Sequence, residues 1–313
     1  MRKLLLICCM VAVSATSLGQ ARRIYTSGLR APINLLQEEG EEEDGASGFE
    51  GVSFGLNVGS YFASRNTANF YNGACMYPTD ELFGGVQCVT IAERLDPNVF
   101  INDYRNILNN INNSTSSQAT AFSVPFDSYP LNMRYNPAMY VGFQMKYAWS
   151  RTSSMIFNLN AVRLRAVDQF TLQFFGTTVV DGQNDVRLFQ IYGREQRFNL
   201  NLGYRQGFEM GDQSNFYVQF GGSMLGTSVQ ENQIRIAGND YSLFMYTMNI
   251  NQQVAYQART NVGFGFYIAP GFEFIVNNKY GFDLGLILSR DRMNLNGYKQ
   301  NGWNKMIAFG FNI

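Results

Sequence analysis

Side chains of one chemical character recur at every second position along most of this chain. In one stretch, Phe264, Phe266, Phe272 and Phe274 alternate with residues that include the carboxylate of Glu273. Successive side chains of a β-strand point to opposite faces, so this spacing predicts strands with one apolar and one polar face. By the same parity, the four phenylalanines lie on one face of their strand and Glu273 lies on the other. The segments that alternate in this way are 52–59, 139–149, 155–161, 197–205, 216–224, 262–276, 282–289 and 303–313.

The composition of the two faces distinguishes a membrane barrel from a soluble one. A soluble sandwich or a lipocalin-type barrel also alternates, but it would need apolar residues inside. Here the apolar face is built from large residues, whereas the other face is rich in glycine, asparagine and glutamine. Aromatic residues also lie near the predicted strand ends, where a transmembrane barrel has its aromatic girdles. These residues are Tyr61, Tyr147, Trp149, Tyr204 and Trp303.

The links between the segments alternate between short and long, which is typical of a transmembrane barrel with short periplasmic turns and long extracellular loops. We therefore predict an all-β fold, a transmembrane antiparallel up-and-down β-barrel with eight strands. Strand-like stretches inside two long links either extend the strands beyond the membrane or add a pair that makes ten. The short links are residues 150–154, 206–215 and 277–280, and the long links are 63–136, 165–196, 225–261 and 290–302.

The first 50 residues have the features of a targeting segment and a tail. A basic start precedes the apolar residues 4–13 and small residues that end at Gly19, so residues 1–19 are predicted to be a secretory signal peptide. Residues 20–50 contain an acidic run and are predicted to form a flexible periplasmic tail, with docking to a basic partner as the alternative. The barrel is predicted over residues 51–313, with a loop insert at 63–136.

The loop insert has two features of its own. Export favours a disulfide between Cys75 and Cys88, the two cysteines that remain after the signal peptide. Asp96 and Pro97 form a cap-then-proline signal, and the apolar residues that follow at helical spacing predict an amphipathic helix. Such a helix needs a partner surface, which is either the mouth of the barrel or another protein.

Composition excludes several classes of function. The chain contains no histidine, which excludes Ser-His-Asp and Cys-His nucleophile systems and any histidine metal ligand. Lysine plus arginine and aspartate plus glutamate both number 24, so there is no basic surplus for nucleic acid. We expect no catalytic residue, no cofactor and no metal site.

Charged residues on the polar faces predict a network inside the barrel. Buried charges normally pair, so a salt-bridge network is favoured over a catalytic pair formed by Glu273 and Asp283. The interior of an eight-stranded barrel is about wide enough for side chains, although the inward glycines leave room for a thin file of water. The residues predicted to form this network are Lys146, Arg197, Arg205, Glu273 and Asp283.

Arginines lie on or beside the apolar face just past its end on two neighbouring strands. They are Arg163, Arg165 and Arg194. In an outer membrane this level holds the phosphates of lipopolysaccharide, and arginine binds phosphate through two donors. The alternative is that these are ordinary solvated loop residues.

The signal peptide, the eight alternating strands and the terminal stretch 307–313 together resemble a small outer-membrane β-barrel protein. The glutamine that starts the mature chain and the abundance of Asn, Tyr and Phe are similar to barrels of the Bacteroidota. The last strand resembles the segment that the barrel-assembly machinery recognises, through Phe309, Phe311 and Ile313. The resemblance implies outer-membrane lipid, lipopolysaccharide and that machinery as partners, and another outer-membrane protein is a further candidate.

The function expected is that of a non-enzymatic outer-membrane barrel. It would act as a structural anchor, an adhesin or an accessory subunit of an outer-membrane complex. The alternative is a narrow channel for small solutes or hydrophobic compounds. A lipid-modifying enzyme is disfavoured because the barrel enzymes of this class resemble one another in relying on a catalytic histidine.

Overall fold

The computed structural model describes residues 51–74, 90–115, 118–150, 152–176, 185–211, 213–244, 260–276, 280–295 and 298–313. The predicted signal peptide, the acidic tail and the predicted disulfide between Cys75 and Cys88 lie outside these residues. Among the described residues, no helix combines the length and the apolar character needed to cross a membrane.

Most of the described chain is β-strand. The strands are β1 (Gly51–Phe62), β2 (Ala121–Ser123), β3 (Arg134–Tyr135), β4 (Ala138–Ala148), β5 (Ser153–Phe175), β6 (Asp185–Gly211), β7 (Ser214–Ile236), β8 (Asn239–Ser242), β9 (Thr260–Val276), β10 (Tyr280–Leu295) and β11 (Tyr298–Asn312). The helices are α1 (Arg65–Ala68), α2 (Ile91–Arg94) and α3 (Ile101–Thr115), and 3-10 turns cover Asn69–Tyr71 and Phe126–Ser128.

Eight of these strands close into a ring, as the sequence predicts. The order around the ring is β1, β4, β5, β6, β7, β9, β10 and β11, and every neighbouring pair is antiparallel. The last strand pairs with the first from Gly55 opposite Asn312 to Phe62 opposite Lys305. Closure leaves no open sheet edge in the ring, and lipid cannot hydrate such an edge.

The strand-like stretches in the long links extend the ring strands rather than adding a pair to the ring. The strands β5, β6 and β7 run well beyond their neighbours, and β8 folds back onto β7. The prediction of a long link at 290–302 is wrong, because β10 continues to Leu295 and β11 begins at Tyr298. Burial still alternates in this stretch, but many of its residues are polar. A prediction from the hydrophobic pattern alone therefore ends both strands too early.

The outer face of the ring is apolar, and the predicted parity of β9 is confirmed. Phe264 is 71% exposed and Phe272 43% exposed, whereas Glu273 is 6% exposed and points into the barrel. Tyr61 was expected in an aromatic girdle, and that expectation is wrong. It shares the parity of Asn57, so its ring is fully buried inside the barrel.

Beyond the ring, the long ends of β5, β6 and β7 form one wall of a folded head. We define the head as residues 65–71, 90–115 and 118–135 together with these strand ends. Their inner face packs against the helices in one apolar core, in which α3 buries Ile107 and Ile111. The predicted amphipathic helix begins at Ile101 rather than at Pro97, and its partner is this sheet. Strand residues of the same core include Phe170, Leu172, Phe174, Ile191, Ile234 and Ile236.

Candidate functional site

Four of the predicted lumen charges meet in one cluster near the end of the barrel that has the short turns. The Nζ of Lys146 lies 2.6 Å from Oε1 of Glu273, and Nη2 of Arg205 lies 2.9 Å from Oδ2 of Asp283. Arg205 also approaches Glu273, at 3.5 Å. Glu273 and Asp283 are directly opposite in the β9–β10 register, so the two bases offset a repulsion between like charges. We call these four residues the lower charge cluster.

Neutral side chains extend this cluster across the full cross-section of the barrel. Gln144 and Asn312 each donate to Oδ2 of Asp283, at 3.2 and 2.9 Å. Asn57 donates to Gln144 and to Asn158, and the guanidinium of Arg205 lies 3.9 Å from the ring centre of Tyr217. Every one of the eight ring strands therefore contributes a side chain, and the cluster spans the lumen.

Arg197 belongs to a second cluster, at the level where the head meets the ring. Its Nε donates to Glu195 at 2.5 Å, and its Nη2 donates to Thr67 at 3.0 Å and to Tyr135 at 3.2 Å. Tyr71 donates to the other oxygen of Glu195 at 2.6 Å. Burial raises the pKa of the Tyr71 phenol well above its ordinary value, so the phenol keeps the proton that it donates. We call this the upper charge cluster.

The upper charge cluster ties the head to the ring, because Thr67, Tyr71 and Tyr135 all belong to the insert. A glycine makes this contact possible, since a Cβ at Gly193 would overlap the ring of Tyr71. Sequence reasoning missed Glu195, although it lies two residues before Arg197 and therefore shares the inward parity. It was missed because the predicted strand began at residue 197.

A further carboxylate that the sequence analysis missed is Asp291 on β10. Its side chain is buried and accepts hydrogen bonds from Ser223, from Ser289 at 2.5 Å and from Asn304 at 2.9 Å. Asn304 also accepts from Arg197 at 3.3 Å, so Asp291 is linked to the upper charge cluster through one amide. In the part of the chain that the structure describes, no three Asp, Glu, Cys or His side chains are grouped to hold a metal ion.

The predicted rim arginines lie together on the outside of β5 and β6. Arg165 and Arg194 are directly opposite in the register, and Arg163 lies two residues before Arg165 on the same face. The guanidiniums of Arg165 and Arg194 lie 5.2 and 5.9 Å from the ring centre of Tyr192. Arg194 also pairs with Glu231 at 3.2 Å.

The terminal residues predicted as an assembly signal lie on the lipid-facing side of β11. Phe309 and Ile313 are exposed there, and Phe311 packs against Tyr280 and Phe282 on the next strand. The backbone of Ile313 exchanges two hydrogen bonds with Phe54 of β1, at 2.8 and 3.1 Å. The end of the chain therefore takes part in closing the ring.

Comparisons with known proteins find structural similarity only. No family model matches this chain, and no curated protein sequence matches it. The outer membrane protein OprG from Pseudomonas aeruginosa is similar with a TM-score of 0.34 and 10% identity, over 85% of this chain and 98% of that one. Neisserial surface protein A gives 0.35 and 8%, over 84% and 99%. Ail, the attachment invasion locus protein of Yersinia pestis, gives 0.31 and 9%, over 85% and 100%.

At these TM-scores the similarities add nothing to what the ring itself establishes. The ring of eight antiparallel strands is closed and leaves no open edge, and it has an apolar outer face and a polar, filled interior. β-Strands span a lipid bilayer as closed barrels with these properties. The described chain is a transmembrane β-barrel of the outer-membrane type.

Proposed function

We propose that this chain is a non-enzymatic, non-conducting anchor that holds a folded head at the outer surface of the outer membrane. In that position the head serves a structural or interactive role, as an adhesin or as the accessory subunit of an outer-membrane complex. The observation that supports this most directly is the lumen, which side chains from all eight ring strands fill.

The filled lumen argues against the alternative function, a narrow channel. The lower charge cluster lies across the barrel, and separating one partner of such a buried pair costs about 3–5 kcal/mol. Tyrosines from other strands fill the space beside two of the inward glycines, which argues against a continuous file of water. A Cβ at Gly203 would meet the hydroxyl of Tyr267, and one at Gly271 would meet that of Tyr217.

The geometry of the ring also supports the orientation. The C-terminal ends of β4, β6 and β9 lie at the same end of the ring as Gly51 and Ile313, and the head lies at the opposite end. Barrels of this class keep short turns in the periplasm and long loops outside. We therefore place the head outside the cell and the predicted acidic tail in the periplasm, after removal of the predicted signal peptide.

Single-channel recording in a planar bilayer tests the proposal. We expect no unitary current steps from the full chain, while co-flotation with lipid vesicles and heat-dependent gel mobility show that it is folded and inserted. Reproducible steps would overturn the proposal and favour the channel.

A channel for hydrophobic compounds would pass no ions, so a second measurement covers it. Uptake of n-octane is compared in cells that contain or lack the protein, and we expect equal rates. Faster uptake with the protein present would contradict the proposal. Co-purification from a mild detergent extract then separates a lone anchor from a subunit, because a subunit brings a second outer-membrane protein in fixed stoichiometry.

A further inference from the structure

A group of arginines begins on the outer face of the barrel immediately above its apolar band and extends over four rows of outward residues. On β5, β6 and β7 the band ends at the register row of Ala161, Phe198 and Gly226. Each further row lies about 7 Å along the strand, which is about 5 Å in depth for a strand tilted by about 40°. The next rows carry the group that we call the arginine patch. Its members are Arg134, Arg163, Arg165, Arg194 and Arg235.

Two members of this patch were outside the sequence prediction. Arg134 lies on the two-residue strand β3, directly opposite Val167, and Val167 is opposite Tyr192 on the next strand. Arg235 lies on β7 and points outward, opposite Gln190. Antiparallel partners share a face, so all five guanidiniums belong to one outward surface.

One tyrosine organises the middle of the patch. The guanidiniums of Arg165, Arg194 and Arg235 lie 5.2, 5.9 and 5.4 Å from the ring centre of Tyr192. Together they leave the tyrosine only 2% exposed, although it lies on the outer face. Its hydroxyl donates to Gln233 at 2.6 Å. Arginine side chains held against an aromatic ring lose less freedom when they bind an anion.

The charges of the patch do not balance within the described residues. Glu231 pairs with Arg194 at 3.2 Å, and Asp240 pairs with Arg235 at 2.7 Å. The bonds from Arg235 lower the pKa of Asp240, so this carboxylate is ionised and already occupied. Across the described ranges, Arg134, Arg163 and Arg165 have no carboxylate partner.

Arg165 shows the imbalance most clearly. It is directly opposite Arg194, and like charges in a direct cross-strand pair are destabilising. Its Nε is buried and finds no acceptor among the described residues. An anion that bridges the guanidiniums of Arg165 and its neighbours would offset this repulsion.

We propose that the arginine patch binds the phosphate groups of an outer-leaflet glycolipid of the lipopolysaccharide class. Arg163 and Arg165 are the direct ligands, Arg134 adds charge beside them, and Tyr192 is a positioning residue. Phosphate fits because it offers several oxygens to forked donors, and a lipid fits because the patch begins where the apolar band ends. The proposal is independent of whether the lumen conducts.

The binding test uses the full mature chain in phosphatidylcholine vesicles, titrated with fluorescent lipopolysaccharide. The variant Arg163→Gln with Arg165→Gln should bind about tenfold more weakly or worse, since a hydrogen bond to a charged group contributes about 1.5–3 kcal/mol. The control is Arg105→Gln with Lys299→Gln, which removes two exposed charges from α3 and from the tip of β11. The control should stay within about twofold of the wild type.

Two further arms identify the ligand. Lipopolysaccharide from which the phosphates have been removed should bind wild type about as weakly as the intact lipid binds the double variant. Millimolar inorganic phosphate should fail to displace the intact lipid. Equal binding of the two lipids, equal affinity of the double variant and wild type, or full displacement by inorganic phosphate would each overturn the proposal.

The role of Tyr192 has its own test. Tyr192→Leu should weaken lipopolysaccharide binding, and Tyr192→Phe should restore it, because the ring rather than the hydroxyl supports the guanidiniums. Heat-dependent gel mobility confirms that both variants are folded. If Tyr192→Phe binds as weakly as Tyr192→Leu, the positioning role is wrong.

Discussion

At the scale of single residues, the structure contrasts a buried ion pair on β6 with an exposed ion pair between β6 and β7. Glu195 and Arg197 have no exposed side-chain surface, whereas Arg194 and Glu231 are 47% and 32% exposed. Water screens the exposed pair, which should contribute little to stability. The buried pair has no such screening, so removing one partner leaves the other charge without compensation.

This contrast predicts the effect of two matched substitutions. Glu195→Gln should lower the free energy of unfolding by about 3–5 kcal/mol, because Arg197 stays buried without its counter-charge. Glu231→Gln should lower it by at most about 1 kcal/mol. Urea unfolding in lipid vesicles, followed by tryptophan fluorescence, gives both values. Similar losses for the two variants would contradict the burial that the structure assigns to Glu195.

Residue contacts also show where sequence reasoning stops. Parity along a strand places Lys146 and Glu273 in the lumen, but it cannot predict that they form an ion pair. The two residues are 127 positions apart, and their strands are not neighbours in the ring. The arginines around Tyr192 come from three different strands, and only the register of those strands brings them together. Arg134 lies on a strand of two residues, which is too short to show any period.

At the scale of elements, strand parity accounts for nearly all of the ring. Each of the eight predicted segments is a ring strand, because one face must meet lipid and the other must not. The same rule fails in the head, where β5, β6 and β7 bury one face against helices and expose the other to water. There the inner residues are apolar, whereas the outward ones are a mixture that includes Gln169, Leu188 and Arg235. The composition of a strand extension therefore resembles that of a loop.

Strand β9 offers a test of depth within the membrane. Ile268 and Thr260 share the outward parity, but Ile268 lies near the middle of the apolar band and Thr260 is directly opposite Ser228, beyond its end. Ile268→Arg should therefore cost about 2–4 kcal/mol of unfolding free energy, and Thr260→Arg about 0–1 kcal/mol. The same vesicle unfolding assay measures both. Equal costs would mean that the band does not lie where the ring places it.

At the scale of the whole molecule, the ring and the head place their apolar side chains in opposite directions. The ring exposes its apolar side chains outward, and the head gathers them into an interior core. The upper charge cluster lies between the two. The head is thus a small α/β unit built on the barrel's own strands, and its orientation follows from that of the barrel.

The orientation predicts which single cysteines can be labelled on intact cells. In a background with Cys75 and Cys88 replaced by serine, Asn239→Cys should react with a membrane-impermeant maleimide on whole cells. Thr152→Cys lies in the turn between β4 and β5, so it should react only after the outer membrane is permeabilised. Labelling of position 152 but not of position 239 on intact cells would reverse the topology.

The lower charge cluster has a consequence for how the barrel assembles. Its contacts take a side chain from every ring strand, so they can be completed only when β1 and β11 have met. A strand that pairs two residues out of step still presents apolar side chains to lipid, because the period of the strand is two. The same slip moves its charged group about 7 Å along the barrel and leaves the opposite charge alone in the lumen. A slip of two residues therefore costs free energy in the lumen although it costs little on the lipid-facing side. The cluster thus favours closure of the ring in the correct register.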